Sequence, residues 1–299
     1  MILNNECVVA ITGATSGIGA ALAVALAEYN VRLAICGRRK ERLHTIAEEA
    51  RAKGATVLEL VANVSVPSQA RGFVEQCIAH YGTIDVLVNN AGRGTYGSVE
   101  DTTQEMIDSM FTLNVFSLWH TTAAALPVMK RNKKGQIINI ASVAGKQGFP
   151  CNSAYVAAKH AVVGFTAALR TELVDTGVEA TVICPAGVST EWADVTEGDS
   201  IGMLFGRGIK RSRSIAEQRG LPLAPLTKMM SAHDAAHIIV ESILQPPHTD
   251  VFTHAGTEEQ ALLTAQNRSA SEHQMLPFYL GVMQEYAERT NNKNNTSDT

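Results

Sequence analysis

Short apolar runs rich in β-branched residues alternate with longer helical patterns along most of this chain. The candidate strands are Val8–Ile11, Val31–Cys36, Thr56–Val61, Val86–Val88, Gln136–Ala141, Glu179–Cys184 and Val251–Thr253. Candidate helices fill most of the gaps, at about 17–29, 40–53, 67–81, 103–131, 153–176 and 232–244. Such alternation gives an α/β fold with a parallel sheet of about seven strands and helices on both faces. Right-handed crossovers make that sheet doubly wound. Two stretches stand outside the alternation: an insertion at 191–231 and a C-terminal stretch at 254–299. The reading is therefore one large unit over 1–255, including the insertion, and a helical extension over 256–299. The polar end, Asn291 to Thr299, is expected to be disordered.

Composition narrows the function classes. Of 299 residues, 45% are hydrophobic and 18% charged, which supports a sizeable core. A net charge of −4 argues against a nucleic-acid-binding surface. The five cysteines (Cys7, Cys36, Cys77, Cys151 and Cys184) are odd in number and far apart, and read as reduced core residues of a cytoplasmic protein. The first residues lack the basic and apolar regions of a signal peptide, and no apolar run is long enough to span a membrane.

The first strand runs into Thr12-Gly-Ala-Thr-Ser-Gly-Ile-Gly19, a glycine-rich turn that opens a helix. Gly13 permits the tight turn. Gly17 and Gly19 let the backbone approach a pyrophosphate at the positive helix end, with Thr15, Ser16 and Ile18 beside it. This is the context of a Rossmann-type dinucleotide site. The second strand ends in Cys36-Gly37-Arg38-Arg39-Lys40. An acidic residue there would hold the ribose of NAD; Arg38 and Arg39 suit the 2′-phosphate of NADP(H). The bland alternative is a solvated start to the next helix, which cations at a helix N-terminus disfavour.

In Ser153-Ala-Tyr-Val-Ala-Ala-Lys159, Tyr155 and Lys159 project from one helix face, and Ser142 lies thirteen positions before the tyrosine. A lysine so placed can stabilise a phenolate and pull its pKa from about 10 toward neutrality. A tyrosine tuned that way is a general acid/base for a carbonyl or an alcohol.

These motifs, in this order, resemble the short-chain dehydrogenase/reductases over about residues 5–255. Thr12 to Gly19 matches their glycine motif, and Asn89-Asn90-Ala91-Gly92 follows the fourth strand as in the family. Asn114 matches their active-site asparagine, and Ser142, Tyr155 and Lys159 match the remaining catalytic set. The resemblance implies that Ser142 orients the carbonyl, Tyr155 transfers the proton, and Lys159 holds the nicotinamide ribose and lowers the tyrosine pKa. It implies that Asn114 supports a water-linked proton relay. It also implies cofactor contacts from Asn63, Val64, Asn90, Ala91, Gly92, Pro185, Gly187, Val188 and Thr190. Two positions depart from the pattern. Asn63 stands where the family has Asp, and Ala186 stands where it has Gly, so the loop after the sixth strand is expected to be shaped differently.

The implied activity is NADP-dependent hydride transfer between nicotinamide and a ketone or secondary alcohol. The alternatives are a non-catalytic NADP-binding sensor or scaffold, or an epimerase or dehydratase of the family's extended branch. His233-Asp234-Ala-Ala-His237 resembles a zinc helix but lacks the glutamate and a third ligand, so no metal is expected. The insertion, which covers the substrate in the family, carries Trp192, Ile201, Met203, Leu204, Phe205, Leu221, Leu223, Leu226, Met229 and Met230; they suit either a lid over a bulky apolar substrate or plain packing of the loop on the core. Arg207, Lys210, Arg211, Arg213 and Arg219 read either as a grip for an anionic substrate or as a solvated basic face. In the extension, Thr257-Glu-Glu-Gln260 has capping-box form and Pro277 is expected to open a second helix. The family commonly pairs its long helices across a two-fold axis, here at about 103–131 and 153–176. A homodimer or homotetramer is the expectation.

Overall fold

The computed structural model describes residues 1–191, 196–198 and 201–297. The chain order is β1 (Val8–Thr12), α1 (Gly17–Ala27), β2 (Arg32–Gly37), α2 (Lys40–Ala52), β3 (Thr56–Val61), α3 (Pro67–Tyr81), β4 (Val86–Asn89) and β5 (Thr95–Tyr96). Then come α4 (Gln104–Phe111), α5 (Ser117–Asn132), β6 (Gly135–Ile140), α6 (Ser153–Glu172), β7 (Val178–Cys184), β8 (Val188–Ser189) and β9 (Glu197–Gly198). The chain closes with α7 (Ile201–Arg219), β10 (Met230–Ser231), α8 (Ala232–Leu244), β11 (Val251–Phe252), α9 (Thr257–Gln266) and α10 (Arg268–Ser297).

Seven strands form one parallel sheet in the order β11-β7-β6-β4-β1-β2-β3. Successive residues of β1 point to opposite faces, and both faces are covered. Val9 and Ile11 pack with Leu22, Leu26 and Ile239 under α1 and α8. Val8 and Ala10 pack with Phe73, Val128 and Leu169 under α3, α5 and α6. The order reverses between β1 and β4, the switch point where the strand ends open a crevice.

Several expected boundaries change. The helix expected at 103–131 is divided: α4 and α5 are joined by a π turn at Thr112–Phe116, which contains Asn114. Much of the insertion is helix α7. Thr257 does not cap α9; Gly256 occupies the N-cap and the Thr257 hydroxyl donates to the His254 carbonyl. Pro277 does not open a helix. Asn267 does, its Oδ1 accepting from the Ala270 N–H at 3.1 Å, a cap that starts α10 ahead of the proline. The missing proline N–H removes one internal bond without ending a helix that packs against α7. The same helix runs to Ser297, so residues 291–297 are helical where composition suggested disorder.

α7 and α10 approach closely because each is bare at the crossing. A Cβ on Gly281 would lie 2.4 Å from the Gly208 carbonyl, and one on Gly208 would lie 2.6 Å from Val282 Cγ2. Beside the crossing, Glu285 is 2% exposed and pairs with Arg207, Arg211 and Arg289 at 3.2, 3.0 and 3.0 Å. A buried carboxylate needs such partners. Two of the insertion's arginines therefore face the C-terminal helix rather than a bound anion.

Candidate active site

The glycine turn sits at the switch point. Gly13 and Gly17 have φ of +70° and +58°, a region that side chains disfavour. A Cβ on Gly19 would meet Asn90 Nδ2 at 2.3 Å and the Gly13 carbonyl at 2.5 Å. Asn90 ties the two halves of the sheet together: Nδ2 donates to the Thr12 and Gly13 carbonyls at 2.9 and 3.1 Å. Thr12 Oγ1 accepts from the backbone N–H groups of Asn90 and Ala91 at 3.1 and 3.0 Å. The N-cap Ser16 makes no capping bond and the first turn of α1 holds no acidic residue, so its amide groups face the crevice ready for an anion. These residues fit a dinucleotide pyrophosphate.

The crevice is lined by Gly13, Thr15, Ser16, Gly17 and Ile18 on one wall, and by Pro185, Gly187, Val188 and Thr190 on another. Asn63, Val64, Asn90, Ala91 and Gly92 line it too. Asn63 Oδ1 accepts from the Ser65 N–H at 3.2 Å. Ala186 is absent from the positive-φ residues, so the substitution for glycine imposes no strain there. Arg38 is exposed at the rim. Arg39 is fixed, donating to Thr15 Oγ1 at 3.2 and 3.0 Å and to Ser16 Oγ at 2.6 Å. Arg42 stands beside it on α2 and shares its partner Glu191. Sequence reading passed over Arg42 because one more cation on an exposed helix carries no signal.

Ser142 follows β6 and caps a short 3₁₀ turn, its Oγ accepting from the Ala144 N–H at 3.1 Å. Tyr155 and Lys159 are buried on α6, at 8% and 5% exposure. Gly145 brings α6 against the Ser142 turn; a Cβ there would lie 2.6 Å from the Lys159 carbonyl. The Ser142 and Tyr155 side chains are hydrogen-bonded. Lys159 Nζ donates to the Ile140 carbonyl at 2.9 Å and lies 5.6 Å from the Tyr155 ring centroid.

The electrostatics correct one expectation. Burial pushes the Tyr155 phenol up to about 12, against the opposing pull of the Ser142 bond. Lys159 does not lower it here. Burial instead brings the lysine itself down to about 8. Spacing on a helix made the two neighbours, but burial sets the direction of both shifts.

Asn114 sits in the π turn, a distortion common at functional positions. Its Nδ2 donates to the Arg93 and Met110 carbonyls at 3.1 and 3.0 Å, while buried Oδ1 has no hydrogen-bond partner. A Cβ on Gly92 would be 2.7 Å from that oxygen and 3.5 Å from Lys159 Nζ. Gly92 thus leaves open the space between them.

The same cleft, about 770 Å³, extends past Ser142 to an apolar end lined by Phe149, Phe205, Leu226, Met275 and Phe278. Phe205 and Phe278 have ring centroids 5.7 Å apart, and both contact Phe149 at 6.4 Å. Met275 and Phe278 belong to α10, in the extension beyond the stretch that the family resemblance covers. Leu204 is buried in this cluster, whereas Leu223 and Met229 are largely exposed. Trp192 lies outside the described residues, as do the side chains of Ile201 and Met203. His233 and His237 pair Nε2 to Nε2 at 3.1 Å on an exposed face of α8, and no group of three metal-ligating side chains occurs among the described residues.

A glycine cradle at the switch point of a doubly wound sheet thus adjoins a cleft that holds a serine, a tyrosine and a lysine. The short chain dehydrogenase sequence profile matches residues 7–199, and the chain belongs to the short-chain dehydrogenase/reductase family. It is 33% identical to a D-beta-hydroxybutyrate dehydrogenase of Rhizobium meliloti, covering 76% of this chain and 92% of that one. It is 35% identical to the ketoacyl reductase HetN of a Nostoc species, covering 70% and 72%. A solved short-chain dehydrogenase/reductase from Burkholderia phymatum, in complex with NAD, superposes with a TM-score of 0.75 at 26% identity, covering 90% of this chain and 96% of the other.

Proposed function

We propose that the protein is an NADP-dependent reductase of a ketone carried on a bulky apolar body. The observation that carries this reading is one continuous cleft holding Ser142, Tyr155 and Lys159 beside the aromatic wall of Phe149, Phe205 and Phe278. The nicotinamide supplies the hydride when bound. Ser142 donates a hydrogen bond to the carbonyl oxygen and fixes its place. Tyr155, protonated well above neutral pH, delivers its proton to that oxygen. Lys159 holds the ribose hydroxyls, and Asn114 Oδ1 accepts from the water that links Lys159 to solvent. A cofactor sensor would gain nothing from burying an ammonium next to a phenol, which weighs against the non-catalytic alternative.

NADP preference rests on Arg39 anchored over the glycine turn, with Arg42 beside it and Arg38 at the rim. Tighter binding of NADH than of NADPH would contradict it. The substrate reading is tested by Phe278→Leu. Loss of ring contact is worth about 1 kcal/mol. KM for an aryl ketone should rise about fivefold, with kcat/KM for a small aliphatic ketone within about twofold. Equal losses on both would remove Phe278 from the substrate wall.

The helical extension over 256–299 is read as part of the substrate side of the single catalytic unit, since α10 supplies that wall. The five cysteines are buried and unpaired, as suits the cytoplasm; no described helix is long and apolar enough to cross a membrane. Phe116 and Trp119 are 49% and 56% exposed, and Ala157, Gly164 and Ala168 are exposed on neighbouring α6. A two-fold dimer on this face covers them; a solution mass near 32.0 kDa would exclude it.

A further inference from the structure

We propose that Glu191 is a built-in competitor for the cofactor's 2′-phosphate, held on the anion site that Arg39 and Arg42 form. This rests on the NADP reading above. Glu191 directly follows Thr190 on one wall of the crevice; Arg39 belongs to the other, 152 residues earlier in the chain. The arginine's Nε and Nη2 are committed to Thr15 and Ser16. Its Nη1 meets Glu191 Oε2 at 3.1 Å, and Arg42 Nη1 meets the same oxygen.

Two guanidinium groups converging on one anion, beside the N-terminus of α1, are the recognition chemistry of a phosphate monoester. The carboxylate stands in for it with a single charge. The contact spans the crevice, so it also ties the cofactor site to the segment leading into the substrate lid. It is weak enough to yield. The paired side chains are 38% and 44% exposed, where water and salt screen an ion pair and it contributes little. A phosphate bearing nearly two charges accepts from both arginines and from the threonine and serine hydroxyls. Adenosine nucleotides lacking that phosphate have no reason to displace Glu191.

The test is calorimetric titration of wild-type protein and Glu191→Gln with 2′,5′-ADP and with 5′-AMP, which differ only in the 2′-phosphate. Wild-type protein should prefer 2′,5′-ADP. Glu191→Gln should bind 2′,5′-ADP about three- to fivefold more tightly, with 5′-AMP unchanged within about twofold. Unchanged or weaker 2′,5′-ADP binding, with the wild-type preference intact, would overturn the competitor. So would equal tightening of both nucleotides. A wild-type protein without the preference would instead overturn the NADP reading, and this proposal with it. Thermal melts of the variant separate either result from misfolding; Glu191→Ala repeats the test with the carboxylate removed altogether.

Discussion

Tyr155→Phe is expected to lower kcat for ketone reduction by about a thousandfold, the scale of a lost general acid, while the NADPH dissociation constant stays within about twofold. The ring packs among Met110, Val115, Ala144 and Ala158, and phenylalanine keeps every one of those contacts. Ser142 loses one partner and keeps its bond to the Ala144 N–H. Only the proton is removed. Steady-state kinetics with a parallel fluorescence titration of NADPH checks both halves of the claim. Near-wild-type turnover in the variant would end the assignment.

Lys159→Met should abolish turnover and yet make the protein more stable at pH 7. The lysine's folded value near 8 lies below its ordinary 10.5 because burial disfavours the charged form. Below about pH 8 the folded state carries that cost in full, about 3 kcal/mol. Between pH 8 and 10.5 the unfolded lysine keeps the proton that the folded one has released. Stability from this group therefore rises with pH, and the cost fades. Methionine fills similar volume without a charge, but leaves the Ile140 carbonyl without its donor, at about 1–2 kcal/mol. The net gain is about 1–2 kcal/mol at pH 7, a few degrees in Tm, and smaller at pH 9.5. Scanning calorimetry at both values checks it. A lower Tm for the variant at pH 7 would mean that the buried ammonium stabilises the fold.

The sheet and the grouping of Ser142, Tyr155 and Lys159 in one cleft were legible because their signals are local. Apolar runs mark β1, β2 and β4, the glycines follow β1 directly, and Tyr155 and Lys159 are four residues apart. What the sequence concealed depends on contacts between distant segments. The π turn that places Asn114 has no residue signature. The pinning of α7 joins Arg207 and Arg211 to Glu285, more than seventy residues away. Glu191 meets Arg39 across 152 residues. The phenol's direction of shift was misjudged for a related reason: spacing identifies a neighbour, whereas burial is set by the whole fold. Pro277 misled because proline is common at a helix start, while the cap belonged to Asn267.

The central claim is hydride transfer from a nicotinamide to a carbonyl held by Ser142 and Tyr155. Its most direct measurement uses NADPH deuterated at either face of C4, incubated with wild-type protein and a panel of aryl and alicyclic ketones, with mass spectrometry of the products. The account expects the carbinol carbon of at least one product to carry deuterium from one face only, and Tyr155→Phe to form none of it. No alcohol from any ketone, despite bound NADPH, or an alcohol lacking deuterium from both labelled forms, would contradict it.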